Sequence, residues 1–152
     1  MNSSFDRPTL PAVSWTARLK EEDRDLLASY GEFYGLQPDH DLIRQGEDQK
    51  HLFFVISGRL EARRTGLQDD VVVGIIQGGE LFGEIALFDP GPASAHVRAL
   101  EFCQIWRIDH DSLNDFLKDN PVSGNHLLTG LATLLSQRLR GMMVHLVDAK
   151  GA

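Results

Sequence analysis

The stretch "ELFGEIALFDPGPASAHVRAL", residues 80–100, decides how this chain is interpreted. Its first half places Gly83 directly before Glu84-Ile85-Ala86-Leu87, which is typical of the start of a short helix. The first turn of a helix carries N–H groups without intrahelical partners and the positive end of the helix dipole. Because Gly83 has no side chain, a bound group can approach its backbone closely. The stretch therefore has the chemistry of a phosphate-binding turn.

The segments around this stretch have the composition of short β-strands. Apolar residues alternate with polar ones in them, and glycine turns separate them. The segments are "HLFFVISGRLEARR" (51–64), "DVVVGIIQGGELF" (70–82) and "HVRALEFCQIWRI" (96–108). In the second of these, Val71, Val73 and Ile75 are expected to share one face. Short strands at close intervals predict a sandwich or a barrel-like roll.

Both ends of the chain have helical patterns. Residues 1–14 are polar and contain two prolines, so we expect a flexible arm there. Residues 14–36 predict one or two short amphipathic helices, and residues 111–148 predict two more. In the last helix Leu128, Leu135 and Met142 recur every seven residues, a seam that packs on the strands or against a second copy. We expect one domain over 15–152, with strands over about 36–110.

Composition excludes several classes of protein. The formal net charge is −7, which disfavours general binding to nucleic acids and anionic lipids. No apolar run approaches the ~18 residues that cross a membrane. Cys103 is the single cysteine and lies in an apolar run, which predicts a buried thiol and a reducing, cytoplasmic location. The six histidines lack metal-ligand spacing, and no nucleophile elbow or Walker loop is present, so we expect neither a metal site nor an enzyme.

Several motifs together resemble the cyclic nucleotide-binding domain family, which includes the sensor domain of the catabolite activator protein, protein kinase A regulatory subunits and cyclic nucleotide-gated channels. The motifs are Arg-Gln-Gly-Glu at 44–47, Ile-Ser-Gly at 56–58, Gly79 and Phe-Gly-Glu-Ile-Ala-Leu at 82–87. The similarity covers roughly residues 36–117. It implies a mainly β fold: an antiparallel, jelly-roll-like β-roll of about eight strands with N-terminal helices. It also implies a short cassette helix within about 82–94, and a long C-terminal helix that closes over the pocket.

The resemblance further implies a ligand site in the cassette, for cyclic AMP or cyclic GMP. Glu84 would accept a hydrogen bond from the ribose 2′-OH, or else it is a simple acid at a helix start. Ser94 could donate its hydroxyl to a phosphate oxygen. The positions carried over are Phe82, Gly83, Glu84, Ile85, Ala86, Ala93, Ser94, Ala95 and His96.

Ala93 departs from the family pattern, because the phosphate-binding arginine belongs at this position. Losing one partner of a buried charge pair costs about 2–5 kcal/mol, so a micromolar ligand would fall to roughly the hundred-micromolar to millimolar range. Cations that could compensate are Arg63, Arg64, Arg98 and a protonated His96. The alternative is that these are surface charges, and that His96 is a hydrogen-bonded structural histidine.

The last helix supplies the lid over the base in this family. Met142 and Met143 could stack on a ring, or they could belong to the helix's packing seam.

Relatives of the catabolite activator type continue into a helix-turn-helix domain. The chain ends at Ala152, so we expect no direct nucleic-acid binding by these residues, whether or not they come from a longer protein.

Two hypotheses follow. The first is a sensor that binds an anionic small ligand at Gly83, Glu84 and Ser94 and moves its last helix. The second is a degenerate module that has lost the ligand and serves in dimerisation or protein docking. Ala93 favours the second hypothesis, whereas the intact cassette residues favour the first. A homodimer through the last helix is open in either case.

Overall fold

The computed structural model describes residues 8–83 and 90–151, and ten strands and three α-helices lie within them. The strands are β1 (Glu32–Leu36), β2 (Asp41–Ile43), β3 (Asp48–Gln49), β4 (His51–Ser57), β5 (Arg59–Thr65), β6 (Asp70–Gln77), β7 (Leu81–Phe82), β8 (Gly91–Pro92), β9 (His96–Ala99) and β10 (Cys103–Asp109). The helices are α1 (Glu21–Tyr30), α2 (His110–Asp119) and α3 (Pro121–Gly151), and a 3-10 turn covers Ser14–Thr16. No described helix is long and apolar enough to cross a membrane.

The strands form two four-stranded antiparallel sheets and a small third one. Their orders are β1-β10-β4-β7, β2-β9-β5-β6 and β3-β8. This confirms the predicted mainly β roll with flanking helices. The described strands number ten rather than about eight, because β3, β7 and β8 are two-residue segments. Residues 32–36 were included in the predicted helical region but form β1, since they pair with β10 and gain its backbone hydrogen bonds.

Strand β4 lies at the centre of the molecule and is buried on both faces. Leu52 and Phe54 belong to a core between the sheet and the helices, whereas Phe53 and Val55 belong to a second core inside the roll. Successive side chains of a strand point to opposite faces, so one strand serves both cores. The continuous apolar run in the sequence reflects this double burial.

Three aromatic rings bind the helices to the roll. Trp15 is fully buried and lies 6.0 Å from both Phe54 and Trp106, measured between ring centroids. Leu10 is also buried in this core. Within the segment predicted as a flexible arm, Leu10 is therefore packed in the helix-facing core, whereas Ala12, Val13 and Ser14 are exposed.

The C-terminal helices begin at conventional start signals. The carboxylate of Asp109 accepts the Ser112 N–H at 2.7 Å and caps α2. Pro121 occupies the first position of α3, where its missing N–H costs nothing.

Farther along α3, Gly130 passes so close to the 3-10 turn that an added Cβ would lie 2.3 Å from the Trp15 carbonyl oxygen. This close contact fixes α3 against the N-terminal segment.

Two surfaces expose apolar side chains. On the edge strand β6, Val71, Val73 and Ile75 are 58%, 62% and 46% exposed. The prediction that they share one face is wrong, because the register shifts opposite Ala62 and Arg63. Ile75 therefore pairs with Glu61 and Val71 with Arg64, which lie on opposite faces of β5. On α3, the exposed apolar residues are Leu139, Met142, Met143 and Val144.

Candidate functional site

A cavity of about 500 Å³ opens between the roll and α3. Of the positions predicted from the cassette, Phe82, Gly83, Ala93, Ser94 and Ala95 all line it. The remaining lining is largely apolar and includes Ile43, Ala62, Val73, Ile76 and Val97. Glu84, Ile85 and Ala86 fall outside the described residues, as does most of the predicted cassette helix. A pocket of this size and lining suits a small molecule with a flat apolar part.

Phe82 and Gly83 form one wall of the cavity. Phe82 stacks on Phe53 with a centroid distance of 5.0 Å and an interplanar angle of 15°. Gly83 has a φ of +82°, and a Cβ at this position would lie 2.6 Å from the His51 carbonyl oxygen. Glycine is therefore required here by the packing of the chain on β4, independently of any ligand. Gly46, Gly58 and Gly79 of the sequence motifs also have positive φ.

Ala93 lies opposite this wall, and its backbone is fixed. Its N–H donates to the Glu47 carbonyl at 2.8 Å, and its carbonyl accepts the Gly46 N–H at 2.9 Å. The Arg-Gln-Gly-Glu turn thus holds the position that would carry the arginine in the family. The methyl group of Ala93 faces the cavity and brings no charge to it.

The four predicted compensating cations do not line the cavity. Ala62 pairs with Val97 across β5 and β9, and both face the cavity, so the adjacent residues on each strand point the other way. Arg98 pairs with Asp41 at 3.3 Å, and Arg63 pairs with Glu61 at 2.7 Å. Arg64 is exposed on the same hairpin.

His96 has a structural role instead. Its Nδ1 accepts the Gln45 N–H at 3.1 Å, and its Nε2 lies 3.1 Å from the Thr65 hydroxyl oxygen. A backbone N–H only donates, so Nδ1 is the acceptor in this hydrogen bond. His96 therefore bridges β9 to two neighbouring segments, and the interpretation as a hydrogen-bonded structural histidine applies.

Arg138, on α3, brings a positive charge to the cavity that sequence analysis did not assign to it. It is the only arginine or lysine among the described residues that line the cavity. Its Nη2 donates to the carbonyl of Leu81 on β7 at 2.5 Å. A sequence signal existed: Leu127, Leu131 and Leu134 pack on the core, and Arg138 follows them at helical spacing.

The predicted lid residues lie elsewhere. Met142 and Met143 are 68% and 54% exposed and are absent from the cavity lining. The helix reaches the cavity one turn earlier, at Arg138. Their flexible apolar side chains instead belong to the exposed surface of α3.

Three other polar groups complete the lining. Glu80 accepts the Gln77 N–H at 3.4 Å, and Gln49 belongs to β3, where it pairs with Gly91 of β8. Burial, followed by the positive charge of Arg107, lowers the pKa of His51, which favours its neutral form.

Cys103 is away from the cavity and fully buried, and burial raises the pKa of its thiol. It is a structural thiol, as predicted.

The cavity, its glycine turns and the roll are features of one known family. A family model described as the cyclic nucleotide-binding domain matches residues 35–120. The chain belongs to the cyclic nucleotide-binding domain family. The sequence resemblance is therefore confirmed.

Regulators and channels share this domain. The chain is 26% identical over 142 residues to a CRP-like cAMP-activated global transcriptional regulator of Mycobacterium tuberculosis, covering 82% of the chain and 62% of that protein. It is 32% identical over 103 residues to the voltage-gated inwardly rectifying potassium channel KCNH7 of Mus musculus, covering 66% and 8% respectively. The catabolite activator protein of Thermus thermophilus superposes with a TM-score of 0.74 and 29% identity, covering 84% and 59%. The chain spans less than two thirds of each of these proteins.

Proposed function

We propose that this chain is a non-enzymatic sensor module that binds a cyclic nucleotide or a related anionic small ligand. The observation that carries the proposal is the convergence of Phe82, Gly83, Ala93 and Ser94 on one cavity of about 500 Å³. Backbone hydrogen bonds to Gly46 and Glu47, which lie far away in the sequence, hold Ala93 at the cavity. Cyclic AMP activation named for the Mycobacterium tuberculosis relative supports the same ligand class.

The proposed affinity for cyclic AMP and cyclic GMP is weak. The position of the family arginine is built as in an active cassette, but its side chain is a methyl group. A charge-assisted pair between arginine and phosphate is among the stronger polar contacts in proteins. Its loss costs about 2–5 kcal/mol, which corresponds to an affinity about 30- to 4,000-fold lower.

The proposed output is a change in the position of α3. The helix borders the cavity through Arg138 and also packs on the 3-10 turn near the N-terminus. A ligand that binds more tightly to one helix position than to another shifts the population between them. We propose that residues 15–152 act as one domain in this process. The single, buried Cys103 fits a reducing compartment such as the cytoplasm.

Calorimetric titration tests the proposal. Cyclic AMP and cyclic GMP are added up to millimolar concentration to the unaltered protein and to Ala93→Arg. We expect weak binding by the unaltered protein and binding at least about 30-fold tighter by the variant. Absence of binding by both proteins would refute the ligand class. An Ala93→Gln variant is the control, because it adds a long polar side chain without the charge.

A second candidate function is a dimerisation or docking module without a ligand. The observation that favours it is the exposed apolar surface on α3, formed by Leu139, Met142, Met143 and Val144. Sedimentation equilibrium of the unaltered protein and of Met142→Glu tests it. A concentration-dependent dimer that the substitution abolishes, together with no nucleotide binding, would favour this function over the sensor.

A further inference from the structure

A second cavity, of about 600 Å³, lies beside the ligand cavity. The two cavities share Gln49, His51 and Gly91 in their linings, so the β3–β8 pair forms part of the wall between them. The cassette positions 82, 83 and 93–95 line the ligand cavity and are absent from the described lining of the second one. The function proposed above therefore leaves the second cavity without a role.

Three basic side chains line the second cavity: Lys50, His51 and Arg107. Arg107 pairs with Phe53 across β10 and β4, and His51 lies two residues before Phe53 on β4. The side chains of these three residues therefore lie on one face of the sheet. Lys50 directly precedes β4, and its carbonyl accepts the His110 N–H at 3.0 Å, at the start of α2. Strand pairing and a helix start thus bring three basic groups to one cavity.

The guanidinium of Arg107 is held in place from two sides. Its Nε and Nη2 contact the Glu32 carboxylate on β1, and its central carbon lies 5.1 Å from the centre of the Tyr34 ring. Within the described part of the chain, Nη1 of Arg107 makes no hydrogen bond. A guanidinium fixed in this way can offer its remaining N–H donors to an oxyanion at little cost in side-chain entropy.

The second cavity is locally basic, although the whole chain has a formal net charge of −7. Lys50 and Arg107 are permanently charged, whereas Asp48 is the single acid among the described lining residues. Lys50 is exposed and makes no ion pair with a described residue. An anion in the cavity therefore meets one cation that is held in place and one that has no acidic partner in the described chain.

The titration of His51 shows the sign of the charge around it. Burial lowers its pKa most, and Arg107 and Lys50 lower it further. Asp109 and Glu32 act in the opposite direction, but the effect of Arg107 exceeds that of Asp109, and the effect of Lys50 exceeds that of Glu32. The charges that disfavour a proton on His51 also attract an anion.

We propose that Lys50, His51 and Arg107 form a second binding site, for a small dianion or polyanion with oxyanion groups, such as a phosphate ester or a dicarboxylate. Leu42 and Pro90 line the same cavity and suit a short carbon skeleton. A bound anion favours the charged form of His51 and raises its pKa. Binding therefore takes up a proton, and the affinity rises as the pH falls below about 6.5.

Calorimetric titration with inorganic pyrophosphate and with citrate, at constant ionic strength, tests the proposal. We expect binding by the unaltered protein, about 10- to 100-fold weaker binding by Arg107→Gln and about 5-fold weaker binding by Lys50→Gln. Lys118→Gln is the matched control, because it removes an exposed lysine on α2 away from the cavity, and its affinity should not change. Tighter binding of pyrophosphate would indicate a phosphate ligand, and tighter binding of citrate a carboxylate.

A second measurement does not depend on the stability of Arg107→Gln. The ring signals of His51 are followed by NMR as a function of pH, and His51→Gln identifies them. We expect the pKa of His51 to rise when pyrophosphate is added. An unchanged pKa at saturating pyrophosphate would overturn the proposal.

Other results would also overturn the second site. These are absence of binding of both anions at millimolar concentration, or equal affinities of Lys50→Gln, Arg107→Gln and Lys118→Gln. Binding that is lost in Ser94→Ala but kept in Lys50→Gln would place the anion in the ligand cavity instead. The second site does not require a nucleotide, so its failure leaves the sensor function standing, and a failure of cyclic AMP binding leaves the second site standing.

Discussion

Replacing Gly130 by alanine tests how α3 is held over the cavity. The added Cβ would lie 2.3 Å from the Trp15 carbonyl oxygen, a distance at which the helix or the 3-10 turn must shift. Alanine favours a helix over glycine by about 1 kcal/mol, whereas such overpacking costs about 1–3 kcal/mol. We expect a net loss of up to about 2 kcal/mol in the free energy of unfolding.

Gly141 provides the matched control, because it lies in the same helix and a Cβ there meets nothing within 4 Å. Gly141→Ala should therefore stabilise the protein, by up to about 1 kcal/mol. Urea unfolding followed by the fluorescence of the two buried tryptophans, Trp15 and Trp106, measures both variants. If Gly130→Ala is as stable as Gly141→Ala, α3 does not pack on the N-terminal segment as described, and the placement of Arg138 loses its support.

Three further predictions concern the frame of the site. Asp109→Ala removes the cap of α2 and should lower the free energy of unfolding by about 1 kcal/mol, measured by urea denaturation with Asp109→Asn as the milder control. Folding lowers the pKa of His51, so the unfolded chain binds a proton at this residue more readily than the folded protein does. The free energy of unfolding should therefore fall as the pH drops below about 6.5, and it should fall less in His51→Asn. Identical pH profiles of the unaltered protein and the variant would contradict this. Cys103 is fully buried with a raised thiol pKa, so a thiol-specific reagent should label it only when urea unfolds the protein, and rapid labelling of the native protein would disprove its burial.

Much of the fold could be predicted from local sequence features. The glycines at 46, 58, 79 and 83 mark turns because the backbone there has positive φ, which other residues rarely adopt. Strand β1 was missed because its partner is β10, about 70 residues away, and local periodicity does not report such pairing. The faces of Val71 and Ile75 were mispredicted for a related reason: alternation assumes regular pairing, and the register shift opposite Ala62 and Arg63 puts these two residues on opposite faces.

The site was predicted in part. The cassette positions at 82, 83 and 93–95 meet at the cavity because the family motif includes the turns that hold them. His96 follows them in sequence, but strand alternation turns its ring toward Gln45 and Thr65. Arg138 could be found only by extending the helix stripe of Leu127, Leu131 and Leu134 and knowing that this stripe packs on the roll. Tertiary packing determines which residue of a distant helix reaches a cavity. The spacing of sequence motifs carries no information about that packing.

The most direct measurement is a crystal structure of the unaltered protein soaked with millimolar cyclic AMP. We expect ligand density in the cavity beside Phe82, with a phosphate oxygen about 3 Å from the hydroxyl of Ser94. A cavity without ligand at saturating concentration, or a phosphate bound away from Ser94, would contradict this expectation.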